Sequence, residues 1–136
     1  MALSTQDALV YLMIVTASSD SAMTDQELKR IDGLVSRMPV FEGYDRSTVP
    51  NVANACVDLI NGPTGLEGVL DMAISAIPKR LQDTAYALSV EIAAVDLRLE
   101  QEELRFLEMV RDRLDLDRLT TAAIEAAARA RHRRAQ

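Results

Sequence analysis

A chain of 136 residues suits one domain, and 49% hydrophobic with 26% charged residues supports a packed core rather than a disordered segment. The formal net charge is −6; with +4 from Arg129, Arg131, Arg133 and Arg134, residues 1–128 carry −10. A body this acidic repels nucleic-acid phosphates and attracts cations, so no nucleic-acid partner is expected.

The predicted elements are all helical, because apolar residues recur at helical spacing and no segment alternates apolar with polar. The first, about Ser4 to Ser18, is apolar almost all round, which predicts a central, buried helix. Its core, Ala8 to Ala17, is too short to span a bilayer as a helix, lacks a basic flank and follows Asp7. Neither a signal peptide nor membrane insertion is expected from it. Thr24-Asp25-Gln26-Glu27 reads as a capping box opening a second helix with Leu28, Ile31, Leu34, Val35 and Met38 on one stripe, stopped by Pro39. Residues 39–46 read as a loop whose Phe41 and Tyr44 close the core over helix ends if buried and mark a docking site if exposed, with burial favoured.

Ser47 is placed to cap a third helix, with Pro50 in its first turn and Asn61-Gly62-Pro63 at its end. This helix holds Cys56, the single cysteine, which excludes an intramolecular disulfide and reads as a small buried hydrophobe. A reducing, cytoplasmic setting fits. Thr64-Gly65-Leu66-Glu67 looks like a second capping box before a fourth helix with Val69, Leu70, Ala73 and Ile77. Pro78 suits the first turn of a fifth helix reaching Val95. A sixth covers about Glu100 to Leu114. Asp117 can cap a seventh, which carries Leu119, Ala123, Ile124 and Ala127. The Arg-rich segment 129–136 reads as a solvated helix end suited to the helix dipole.

Sliding the chain against itself gives one match, at an offset of 76 residues. Gln6-Asp7 meets Gln82-Asp83, Leu12 meets Leu88, Ala17 meets Ala93, Asp20 meets Asp96, Glu27-Leu28 meets Glu103-Leu104, and Arg37 meets Arg113. Ile14/Val90, Ile31/Leu107, Leu34/Val110 and Met38/Leu114 are conservative pairs. Helix, tight turn, helix is thus written twice. The expected fold is a compact all-α bundle of about seven helices, a single domain over 1–136, with two pseudo-symmetric helical-hairpin halves.

The two copies, Ala17-Ser18-Ser19-Asp20-Ser21-Ala22-Met23 with Glu27-Leu28 and Ala93-Ala94-Val95-Asp96-Leu97-Arg98-Leu99 with Glu103-Leu104, resemble the TerB-like family of tellurite-resistance proteins. In that family each half carries an alanine-rich helix, an acidic turn and a Glu opening the next helix. The glycine usual after the Asp is Ser21 in one copy and Leu97 in the other. The resemblance spans about Ser4 to Leu119. It implies a role in tellurite resistance or envelope-linked stress response, with protein partners that include membrane-associated stress-resistance components. It also implies that Asp20, Glu27, Asp96 and Glu103 are metal-binding positions.

Physical chemistry leaves two readings of these acids open. Four converging carboxylates repel one another and shift their pKa values unless a hard divalent cation (Ca²⁺, Mg²⁺, Mn²⁺ or Zn²⁺) relieves them. Alternatively, the glutamates serve helix N-termini and the aspartates accept from turn amides, which makes the chain a pure interaction module. No GxSxG, P-loop, HExxH or CxxC motif is present, and no nucleophile has a visible base, so a non-enzymatic protein is expected.

Overall fold

A computed structural model of the chain describes residues 3–17, 25–94 and 101–135, with side chains at all of these except 94 and 101–104. Among the described residues are seven α-helices and no strand: α1 (Thr5–Ala17), α2 (Asp25–Arg37), α3 (Val49–Ile60), α4 (Gly65–Ser75), α5 (Gln82–Ala94), α6 (Gln101–Arg113) and α7 (Arg118–Arg131). The all-α bundle is the architecture expected from the apolar spacing.

α1 runs through the centre and packs against α2, α3, α4, α5 and α6. Every residue from Ala8 to Ala17 is buried, so no side of that stretch meets water. Within it, Thr16 donates to the Leu12 carbonyl at 2.9 Å, the local bond that lets a threonine sit in a core. α5 is the second central helix. It packs against α1, α2, α6 and α7 and buries Ala85, Tyr86, Leu88, Ser89, Val90, Ile92 and Ala93.

Several local expectations change. Ser47 does not cap α3; it lies in a 3-10 turn (Arg46–Thr48), where its own N–H donates to Asp45 at 3.0 Å. Asp45 outcompetes it because an ionised carboxylate is the stronger acceptor. Thr64 does not form a capping box: its backbone is already helical and its hydroxyl makes no cap bond. Its side chain instead covers Gly68, where a Cβ would stand 2.6 Å from the Thr64 Cβ. Pro78 precedes a 3-10 turn (Lys79–Leu81) rather than lying in α5. The loop after α2 contains a further 3-10 turn (Pro39–Phe41). Its rings close the core as expected: Phe41 is buried, its centroid 5.6 Å from that of Tyr44, and the Tyr44 hydroxyl donates to Asp7 Oδ1 at 2.6 Å. Leu119 is 82% exposed, and Ala123 and Ala127 are exposed too; the inner face of α7 is carried by the expected Ile124 together with Thr121 and Ala128. Asp117 does cap α7, accepting from Thr120 N–H at 2.7 Å.

Hydrogen bonds fix the directions of the hairpins. Thr5 Oγ1 donates to the Ala76 carbonyl just ahead of α5 (2.9 Å), and Gln6 Nε2 donates to the carbonyls of Val40 (3.1 Å) and Glu42 (3.2 Å) beyond the end of α2. Val40 in turn shares one groove with Leu81 and Thr84. The N-terminal ends of α1 and α5 therefore lie together, beside the C-terminal end of α2. Gln82 accepts from Asp115 N–H at 3.0 Å, which brings the C-terminal end of α6 to the same place. The two central helices run in the same direction, and their hairpin partners run back against them.

Candidate functional site

Parallel central helices put corresponding parts of the two hairpins at the same end of the bundle. Ala17 and Ala94 end the outgoing helices there, and Asp25 and Gln101 begin the returning ones. Glu27 is half-buried in the first turn of α2. Glu103 occupies the first turn of α6, with its side chain outside the described residues; Asp20 and Asp96 lie outside them as well. Among the described residues, no three His, Cys, Asp or Glu side chains are grouped to hold a metal ion.

Away from that end the titratable groups serve mainly structural tasks. Tyr86 is fully buried and its hydroxyl donates to Glu125, while Arg111 approaches the same carboxylate at 3.6 Å. Burial first, and the hydrogen bond to Glu125 second, push the Tyr86 phenol well above its ordinary range. The Tyr44 phenol is raised to about 12 by burial and by its bond to Asp7. The Cys56 thiol is pushed up to about 12 by burial alone, which keeps it protonated and unreactive, as its apolar surroundings in the sequence suggested.

One cluster was not found by reading the sequence. Glu91, projecting from α5, binds both Arg131 and His132 at the end of α7. The basic tail is thus not wholly solvated: Arg131 and His132 are pinned to α5, and Arg129, Arg133 and Arg134 stay exposed. A signal was available. Glu91 is the repeat-mate of Val15, so an acid in the second copy stands where the first has a core residue. Beside Glu91 lies an open groove of about 870 Å³, floored by Thr84, Ala87 and Leu88 and walled by Met38 and Val40. A smaller pocket adjoins it on the other side of Glu91, lined by Lys29, Arg30, Gly33 and Arg37 of α2.

Among the described residues, no helix is long and apolar enough to cross a membrane. Comparisons with protein-family models, with curated proteins and with solved structures return no match to this chain.

Proposed function

We propose that the chain is a TerB-like, non-catalytic helical scaffold of tellurite resistance or stress response, working in the cytoplasm, whose two acidic hairpin turns bind a divalent cation and help dock other proteins. The observation that carries this reading is the common direction of α1 and α5. It assigns the flanks of both acid-bearing turns to one end of the bundle, the arrangement a shared site on Asp20, Glu27, Asp96 and Glu103 requires. A hard cation held by carboxylates there offsets their mutual repulsion. Tellurite is itself an anion and a poor direct ligand for such a site, so resistance works through partners or metal balance.

A second reading has its own support. Asp45 and Asp117 both accept backbone N–H groups at helix starts, so acids in this chain do cap helices. On that reading the repeated acids are structural and the chain is a plain interaction module. Titration calorimetry with Ca²⁺, Mg²⁺, Mn²⁺ and Zn²⁺ separates the two. The cation reading expects saturable heat and a raised Tm with at least one ion, both lost in Asp20→Asn/Asp96→Asn. Absence of heat and of any Tm shift with all four ions rejects it.

A further inference from the structure

α4 has no counterpart among the described helices of the second half, none of which packs on both α5 and α2. It lies across the seam between the halves, packed on α1 and α3 of the first and on α6 of the second. The repeat exchanges α1 with α5 and α6 with α2. The mate of the α4 seat is therefore a surface made by α5 and α2, and that surface is the open groove together with its adjoining pocket.

The two seats differ in cover. On α1, Ala8, Tyr11, Leu12 and Val15 are at most 5% exposed, and Thr5 at the head of the same row bonds to the carbonyl of Ala76, directly after α4. Their mates on α5 are Thr84, Ala87, Leu88 and Glu91, with Leu81 at the head, and all five line the groove. Ala87 in place of Tyr11 widens the floor. Glu91 in place of Val15 raises a charged ridge, which Arg131 and His132 contact.

The charges follow the same symmetry. Arg113 holds α4 through Asp71 (3.1 Å) and Glu67 (3.8 Å), two acids one helical turn apart. The mate of Arg113 is Arg37. Arg37 lines the pocket and, like its neighbours Lys29 and Arg30, forms no ion pair among the described residues. Between them sits Gly33, in the middle of α2, with nothing within 4 Å of the place where a Cβ would stand. A mid-helix glycine weakens its helix, and no tight contact requires this one; what it does is keep the pocket open.

We propose that this groove is a docking seat for an amphipathic helix of a partner protein. The helix lays an apolar stripe over Leu81, Thr84, Ala87 and Leu88. An Asp or Glu pair one turn apart reaches Arg37, as Glu67 and Asp71 of α4 reach Arg113. This is helix-in-groove recognition with an internal template in the same chain. An anionic membrane is a poor occupant, because the protein around this basic patch is net acidic and repelled by it.

The test uses the intact protein and a fluorescein-labelled, hydrocarbon-stapled copy of residues 65–76, stapled because a peptide this short is a marginal helix in water. Saturable anisotropy is expected, with amide shifts at Gly33, Thr84 and Ala87. Arg37→Glu weakens binding by about tenfold or more, and a peptide with Glu67→Lys and Asp71→Lys restores it on that variant. Arg118→Glu has the same charge change about 20 Å away along α7 and leaves binding unaltered. The proposal is overturned by no anisotropy change at millimolar peptide, by shifts confined to α1, by equal losses in both variants, or by failure of the charge-swapped peptide. It is overturned also if sedimentation shows a peptide-free dimer that Arg37→Glu dissociates, since the occupant is then a second copy.

Discussion

The two hairpins share a plan but not a fate. Gln6 and Gln82, 76 residues apart, do the same job: each sits at the start of a central helix and binds the chain just past its hairpin's second helix. α1, however, is enclosed on all sides, whereas α5 keeps one row of side chains open beside the end of α2. The difference lies in α4, which covers the first helix; among the described residues no helix of the second half packs on both α5 and α2 in the matching way. Repetition built the frame, and α4 separates core from surface.

Truncating the repeat-mates Leu12 and Leu88 to alanine tests this contrast with the largest expected effect. Both leucines are nearly inaccessible. Leu12→Ala is expected to cost about 3–4 kcal/mol, because the enclosed site cannot collapse, and Leu88→Ala about 2 kcal/mol, because the groove edge can. Urea denaturation measures both, and equal losses break the contrast. Removing the shared anchors comes next. Gln6→Ala and Gln82→Ala are each expected to lose about 1 kcal/mol. Gln6 makes two bonds and Gln82 one, so the former is the larger loss.

Two changes in the opposite direction sharpen the picture. Gly33→Ala fills open space in a helix and is expected to raise stability by about 1 kcal/mol. Gly68→Ala meets the Thr64 side chain and is expected to give no such gain. Ser89→Ala is expected to stabilise by about 1 kcal/mol, since the Ser89 hydroxyl is buried without a hydrogen-bond partner among the described residues.

A further effect is confined to alkali. Tyr44 and Cys56 are both raised to about 12 in the folded chain from 10.0 and 9.0. A raised pKa contributes stability that is complete below the unfolded value and is lost as pH rises through the folded one. Melting temperature is therefore expected to fall between about pH 9 and pH 12, by less in Tyr44→Phe and Cys56→Ala than in the parent.

The fold was readable because helical periodicity and punctuation carry it: the uniform apolarity of α1, the stripe on α2, and Pro39, Asn61 to Pro63 and Asp117 at boundaries. Ser47 and Thr64 misled because several residues can serve one helix start, and the winner is set by turn geometry and by a neighbouring carboxylate. Leu119 misled because periodicity locates a stripe only to within a residue or so when alanines dominate a helix. The groove was hidden for a different reason. A repeat alignment rewards agreement, while the groove is written in disagreements: Ala87 against Tyr11, Glu91 against Val15 and Gly33 against Met109.

Of the proposed cation site, the sequence supplied the four acids and the fold supplied the common direction of the hairpins that carry them. Paramagnetic broadening by Mn²⁺ in amide spectra tests their combination most directly. A shared site predicts that Ala17, Asp25, Ala94 and Gln101 broaden together at low Mn²⁺, with Val40 and Leu116 at the far end unaffected, and that Asp20→Asn/Asp96→Asn abolishes the effect. Broadening at one hairpin alone, or spread evenly over the acidic surface, contradicts it.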